Sequence, residues 1–233
     1  MGWKKIRIDF APTVKCQFCP RHITSGKAVI ILNDNGLYSY AGPSCAKDPT
    51  KVDNPKDKII DITKGCVEEH TSTKREGKST LYANTSEELP TSLDFDDYFD
   101  DNAAKAYLLL RFEKLSHIPK ISTSNSNSAK LTSIYQKFLS EKKIDIYDEK
   151  YLSVVMYGTK QPLFTYKSLQ SVYAADFWLN IFLEKQPEHK FSQSLLEYLH
   201  QNLRLSEKQI NKLNECFSEI KGIKIKLKAN GFG

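Results

Sequence analysis

Three cysteines near the start of the chain constrain its fold more than any other feature. Cys16 and Cys19 form a Cys-x2-Cys pair, and Cys45 follows after 25 intervening residues. A Cys-x2-Cys turn can aim two thiolates at one metal ion, and structural zinc sites use four tetrahedral thiolate or imidazole ligands. The total of five cysteines is odd, which fits metal binding in a reducing compartment better than a disulfide framework. The spacing therefore predicts a structural Zn2+ site within residues 1–50.

The residues around these cysteines favour strands. Residues 3–10 roughly alternate between apolar and polar side chains, and residues 27–32 and 37–40 are rich in strand formers. Between the last two segments lies Asp34-Asn35-Gly36, whose Asn and Gly tolerate a positive φ. We therefore expect a β-hairpin that closes at this turn.

The segment after the hairpin places the third cysteine at the start of a helix. Gly42-Pro43 ends the second strand, and Ser44 is suited to cap a short helix that begins at Cys45. This order of strand, Cys-x2-Cys turn, hairpin and helix-start cysteine resembles the treble-clef zinc fingers. Over residues 12–48 it is similar to the CxxC…GPxC zinc modules of uncharacterised bacterial and phage proteins. The resemblance implies a structural zinc ion and no enzymatic activity.

The fourth zinc ligand stays open at this point. Treble clefs often keep a His or Cys three residues before or after the third cysteine, but here those positions are Gly42 and Asp48. His22 is the favoured candidate because it follows the pair as Cys-x2-Cys-x2-His. Cys66, His70 and Asp48 are the alternatives. If no metal binds, the paired cysteines are simply reduced surface thiols.

Charge is spread unevenly along the chain. The net charge of +6 divides into +5 over residues 1–85, −7 over residues 86–101 and +8 over residues 102–233. Basic segments suit the phosphate backbone of nucleic acids, although a lysine-rich soluble surface has the same composition. The predicted phosphate contacts in the N-terminal segment are Lys4, Lys5, Arg7, Lys15 and Arg21. The aromatic residues expected to be exposed among them are Trp3, Phe18 and Tyr38.

From about residue 102 the apolar spacing becomes helical. Leu131, Ile134, Tyr135 and Phe138 illustrate the i, i+3, i+4, i+7 stripe. Ser206 and Gln209 form a capping box at the start of the last predicted helix, and residues 223–228 predict an edge strand or a loose basic tail. The expected architecture is α+β, with a zinc-binding β module at 1–66, a polar and acidic linker at 67–101 and a helical bundle at 102–233.

The function is less well determined than the fold. The sequence contains no phosphate-binding loop and no common hydrolase or metalloprotease motif. His117, His189 and His200 are isolated in the sequence, so we expect surface or capping roles for them. A membrane-length apolar run and a secretory leader are both lacking, which predicts a cytoplasmic protein.

These observations predict a non-enzymatic protein that binds nucleic acid, DNA before RNA, through its basic zinc module, while the helical domain binds a partner protein. The alternative is a phage or mobile-element adaptor that binds a host or phage protein complex. A third possibility is an enzyme whose site is assembled from distant parts of the chain.

Overall fold

The protein combines a small N-terminal sheet with a larger set of helices, so the predicted α+β class is confirmed. The computed structural model describes residues 2–65, 67–68, 101–122, 128–221 and 225–232. Two of the candidate zinc ligands, Cys66 and His70, lie outside these residues, as does most of the predicted acidic linker. The predicted domain boundaries stay a prediction.

A four-stranded sheet in the order β5-β4-β1-β6 forms the N-terminal region. β1 is antiparallel to β4 and parallel to β6, and a separate two-stranded hairpin, β2–β3, carries the Cys-x2-Cys turn. The strands are β1 (Trp3–Phe10), β2 (Val14–Lys15), β3 (His22–Ile23), β4 (Lys27–Asn33), β5 (Tyr38–Ala41) and β6 (Ile60–Asp61).

The predicted hairpin between β4 and β5 is confirmed. Gly36 has a φ of +79°, the left-handed conformation that this turn requires. The side chain of Asn33 accepts hydrogen bonds from the backbone N–H of Asn35 at 3.0 Å and of Leu37 at 2.8 Å. The turn is therefore stabilised by the residues of the hairpin itself.

Helices dominate the described chain after the sheet. None of them combines the length and hydropathy that crossing a membrane requires. They are α1 (Asp101–Leu109), α2 (Pro119–Ser122), α3 (Ser128–Glu141), α4 (Ile146–Tyr157), α5 (Tyr166–Lys185), α6 (Lys190–Asn202) and α7 (Glu207–Ser218), with a π-helical segment at Leu110–Lys114 and 3-10 turns at Cys45–Lys47 and Pro162–Phe164. The predicted capping box opens α7, because Ser206 and Gln209 exchange side-chain to backbone hydrogen bonds.

The sheet packs against two different parts of the chain. On one face, Ile31 packs with Ala46 and Val52 of the segment that follows β5. At the end of β1, Phe10 belongs to the main core together with α5, whose Trp178 is fully buried. The end of β1 therefore belongs to the helical core, while the centre of the sheet packs in a separate apolar cluster.

Polar contacts reinforce this junction around the buried carboxylate of Asp9. Tyr173 on α5 donates its hydroxyl to Asp9 at 2.5 Å, Lys114 approaches it at 2.6 Å and Arg7 at 3.1 Å. A buried carboxylate needs partners of this kind, because desolvation of the unpaired charge is costly. Asp9 thus links the sheet to α5 and to the π-helical segment.

The C-terminal residues return to the core. Ile225 and Leu227 are buried, and Leu227 is held by reciprocal hydrogen bonds with the side chain of Asn214. This differs from a loose basic tail, because Ile225 and Leu227 find apolar surroundings. Cys216 is buried on α7.

Candidate metal centre

The three N-terminal cysteines converge in space. The Sγ atoms of Cys16, Cys19 and Cys45 all lie within 4.8 Å of one another, and those of Cys19 and Cys45 are 3.8 Å apart. A disulfide would require about 2.05 Å. Tetrahedral thiolates at the usual Zn–S distance of about 2.3 Å are separated by about 3.8 Å. The cluster could therefore bind a metal ion, and its spacing suits shared coordination.

Backbone hydrogen bonds hold the Cys-x2-Cys turn in place. The N–H of Cys16 donates to the carbonyl of Arg21 at 3.0 Å, which closes the turn. The N–H of Gln17 donates to the carbonyl of Tyr40 at 2.9 Å, which fastens the turn to β5. The N–H of Gly42 points at Cys16 Sγ at 3.5 Å. The turn is thereby pinned both to itself and to the end of the hairpin.

The third cysteine is delivered by the chain reversal after β5. Cys45 begins a 3-10 turn, and the N–H of Ala46 donates to the carbonyl of Gly42 at 2.9 Å. Ser44 precedes the turn as predicted, but its side chain makes no capping hydrogen bond. The Gly-Pro segment therefore sets the position of Cys45 through the backbone.

The thiol environments differ. For Cys16, burial acts to raise the pKa, but the N–H groups of Gly42 and Phe18 and the neighbouring thiols outweigh it, so the pKa is lowered. Burial, together with the thiols of Cys19 and Cys16, raises the pKa of Cys45 to about 11. Because a thiolate is the form that binds metal, the N–H donors around Cys16 favour the ligand state, and a cation would favour it at all three sulfurs.

The structure does not bring His22 to the three sulfurs. His22 is exposed on β3, where it pairs with Lys15, and the group of ligand atoms within 4.8 Å contains only cysteines among the described residues. Hairpin pairing turns this side chain to solvent. Asp48 is engaged locally, because Lys51 and then Thr50 hold the pKa of its carboxyl at about 2.

The predicted phosphate-binding residues fall into two groups. Lys4, Lys15 and Arg21 are exposed, and no ion pair is found for them within the described part of the chain. Lys5 is buried, and its ammonium donates to the carbonyls of Pro55 at 2.8 Å and of Asp57 at 2.9 Å.

Arg7 is also engaged inside the protein. Its guanidinium lies 3.1 Å from Asp9 and 3.5 Å from Glu113, at the junction between sheet and helices. Lys5 and Arg7 therefore stabilise the fold, and we leave them out of the phosphate-binding surface proposed below.

The three aromatic residues also differ in exposure. Trp3 packs edge-on against Phe18, with ring centroids 6.2 Å apart, so both rings are partly covered. Tyr38 is 60% exposed on the edge strand β5. In the sheet register Lys4 pairs with Leu32, which pairs with Tyr38, so the three side chains form one row on the same face.

A second group of potential ligands lies among the helices. The imidazoles of His117 and His200 meet the buried carboxylate of Asp176, and their ligand atoms lie within 4.8 Å of one another. His117 is exposed, as a surface role predicts, but the packing of three separate elements brings it together with His200 and Asp176. His189 does cap α6, as expected, by accepting from the N–H of Ser192.

A cleft of about 550 Å³ lies between the sheet and α5. Tyr40 contributes to the wall on the side of the sheet, Asp176 and Glu184 lie on the side of α5, and Lys114 ends the π-helical segment. Such π-helical segments occur often at functional sites. No sequence motif indicated this cleft, since its walls come from distant segments.

No protein-family model, curated protein or solved structure matches the chain. The similarity to CxxC…GPxC zinc modules consequently stays an expectation, and the sites are interpreted from their own geometry.

Proposed function

We propose that this chain is a zinc-stabilised protein that binds nucleic acid through its N-terminal module. The observation that carries the proposal is the position of Lys15 and Arg21 at the two ends of the Cys-x2-Cys turn. Both are exposed, whereas Cys16 of the same turn is buried and directed at the other two sulfurs. An ion held by the sulfurs would fix the turn and, with it, the two cations.

Zinc is the metal that best suits the cysteine cluster. Three thiolates form a soft ligand set, and their spacing suits tetrahedral coordination. The site is enclosed by backbone contacts from β5 and the Gly42 turn. We therefore assign the ion a structural role, with a fourth ligand supplied by another part of the chain or by water.

A second basic and aromatic feature lies on the sheet itself. The row formed by Lys4, Leu32 and Tyr38 places a cation and an exposed ring about 10 Å apart, two strand spacings, on one face. The contact between Trp3 and Phe18 connects the start of β1 with the Cys-x2-Cys turn. Cations beside an exposed ring are suited to contact phosphates and stack a base of a single strand.

The test is a salt series with fluorescently labelled single-stranded DNA, duplex DNA and RNA. Phosphate contacts make the logarithm of the binding constant fall linearly with the logarithm of salt concentration, by about 0.7–0.9 per contact. The double variant Lys15→Ala, Arg21→Ala should weaken binding and reduce this slope by about 1.4–1.8. Lys190→Ala with Lys208→Ala removes the same charge from exposed positions on α6 and α7 and should leave binding nearly unchanged.

Two outcomes would contradict the proposal. One is the absence of binding to any of the three nucleic acids at low salt. The other is an equal loss in both double variants, which would indicate a general charge effect. The role of zinc is tested separately by metal analysis of Cys45→Ser, which should lose the zinc bound at the cysteine cluster and weaken nucleic-acid binding along with it.

One feature of α4 favours the adaptor as a second candidate. The helix exposes four large apolar side chains within an arc of about 100° at 3.6 residues per turn, and the exposed Lys150 lies in the same arc. The four apolar side chains and their exposed fractions are Ile146 at 59%, Tyr147 at 81%, Val154 at 63% and Tyr157 at 62%. Exposed apolar residues that share a helix face are typical of protein-binding surfaces.

Cross-linking from position 147 distinguishes the adaptor from the nucleic-acid protein. An adaptor should capture a defined protein, and Val154→Asp should abolish the capture while leaving nucleic-acid titrations unchanged. Capture that persists in Val154→Asp would contradict a docking role for this face.

A further inference from the structure

The cluster of His117, Asp176 and His200 is a potential ligand set that the proposed function does not use. We infer that these three residues form a second metal site, specific for a divalent first-row transition ion and independent of the cysteine cluster. Asp176 lies in α5, His200 near the end of α6 and His117 in the turn that follows the π-helical segment.

The distances suit coordination around a shared ion. Oδ1 of Asp176 lies 2.6 Å from Nε2 of His200, and Oδ2 lies 3.2 Å from Nε2 of His117. Ligands held at about 2.0–2.1 Å from zinc are separated by about 2.9–3.4 Å. The His117 contact already has this length, and the His200 contact needs to open by only about 0.5 Å.

The burial of Asp176 supplies the electrostatic reason for an ion. Its side chain is 7% exposed, and each of its oxygens meets a different imidazole. A buried carboxylate is stable when its charge is matched, which either a protonated imidazole or a bound cation can do. A divalent cation compensates the carboxylate and uses both imidazoles in their neutral form, so all three groups are satisfied at once.

The backbone holds the two histidines in position. Leu115 and Ile118, which flank the His117 turn, are fully buried, and the N–H of Ile118 donates to the carbonyl of Leu115 at 3.0 Å. Next to His200, the carbonyl of Gln201 accepts from Lys120 of α2 at 2.9 Å, which fastens the end of α6 to its neighbour. The ligands are therefore placed by the fold before any ion binds, as a selective site requires.

The donor set indicates which ions fit. Imidazole nitrogen favours zinc, iron, cobalt and nickel over magnesium and calcium, which prefer oxygen ligands. Three protein ligands leave further positions open, and the half-exposed side chain of His117 gives water access to the ion. This differs from the cysteine cluster, whose soft sulfurs and enclosing backbone suit a structural ion.

Cobalt(II) titration of the full chain tests the inference, because cobalt replaces zinc and reports its ligands by absorption. Cobalt bound to thiolates gives sulfur-to-metal charge-transfer bands in the near ultraviolet, whereas cobalt bound to nitrogen and oxygen gives only weaker visible bands. We expect two ions per chain. His117→Gln should lose one ion, or bind it at least about 10-fold more weakly, while the charge-transfer bands persist.

Two controls separate this site from the other one and from a loss of structure. Cys45→Ser should weaken the charge-transfer bands and leave the nitrogen and oxygen site loaded. His189→Asn replaces a histidine that caps α6 with another capping residue, so it should leave both ions bound. Because His117→Gln retains a hydrogen-bond donor for Asp176, its fold should persist, which far-ultraviolet circular dichroism checks.

The result that overturns the inference is unchanged cobalt stoichiometry and affinity in both His117→Gln and His200→Gln. In that case the histidines serve only as hydrogen-bond donors to the buried carboxylate. A wild-type chain that binds cobalt at the cysteine cluster alone would overturn it equally. Neither result bears on nucleic-acid binding, which the salt series tests separately.

Discussion

Two glycines with the same backbone conformation provide a sharp test of how the C-terminal segment packs. Gly26 and Gly36 both have a φ of +79°. A Cβ added at Gly36 would meet no atom within 4 Å, whereas one added at Gly26 would lie 2.3 Å from Cδ1 of Ile225 and 3.1 Å from Cζ2 of Trp178. Alanine therefore has the same backbone cost at both positions but a steric conflict at only one.

The expected magnitudes follow from these distances. A left-handed conformation costs an alanine about 1–2 kcal/mol of unfolding free energy, so Gly36→Ala should lose that amount. Overpacking a filled core costs a further 1–3 kcal/mol or so, which brings the loss for Gly26→Ala to roughly 2–5 kcal/mol. The difference between the two variants isolates the packing of Ile225 against Gly26.

Urea unfolding followed by the fluorescence of the buried Trp178 measures both variants. With a urea dependence of roughly 2–3 kcal/mol per M, the midpoint of Gly26→Ala should lie about 0.3–1.5 M below that of Gly36→Ala. Circular dichroism should give the same midpoints, which verifies that the sheet and helices unfold together. Equal losses in the two variants would refute the seating of residue 225 against the sheet.

Further predictions concern single interactions. Tyr173→Phe removes the hydroxyl that donates to buried Asp9 and should lower the unfolding free energy by about 1.5–3 kcal/mol in the urea assay. The control Tyr198→Phe, at an exposed site, should change the unfolding free energy by less than about 0.5 kcal/mol. Ser206→Ala removes the cap of α7 and should cost about 1 kcal/mol in thermal or urea unfolding, with Ser206→Thr retaining most of it. Burial, and next the charge of Glu113, raises the pKa of Tyr135 from 10 to about 12. The contribution of the neutral Tyr135 side chain to stability is therefore complete below pH 10 and is lost as the pH rises towards 12. Tyr135→Phe should therefore flatten the decline of the urea midpoint above pH 10, and an unchanged decline would contradict this assignment.

Part of the candidate metal centre was predictable from the sequence because its determinants are local. The Cys-x2-Cys turn is closed by a hydrogen bond between Cys16 and Arg21, five residues along the chain, and the hairpin that returns Cys45 depends on the turn at Gly36. These short-range constraints act whatever the rest of the chain does. The fourth ligand was not predictable, because several distant residues could reach the sulfurs and spacing alone does not rank them.

The basic residues show that the sequence does not predict which charged side chains are buried. Lys4 and Lys5 look equivalent in the sequence, yet one is exposed and the other is buried against the carbonyls of Pro55 and Asp57. Alternation along a strand predicts that neighbours face opposite sides, but it does not reveal which side another segment covers. Arg7 is likewise committed to ion pairs, with Asp9 of its own strand and with Glu113, which the π-helical segment brings beside the sheet.

The sequence by itself determined the elements whose interactions lie within a few residues: the β4–β5 hairpin, the cysteine turn, the apolar stripes and the capping box of α7. Only the tertiary structure decided which charged side chains are exposed and which histidines contact the same buried carboxylate. His117, Asp176 and His200 lie on three elements and converge through the packing of α5, α6 and the turn after the π-helical segment. The physical reason is that hydrogen-bonding and helical periodicity act over short distances along the chain, whereas a site built from separate helices depends on how their buried faces pack together.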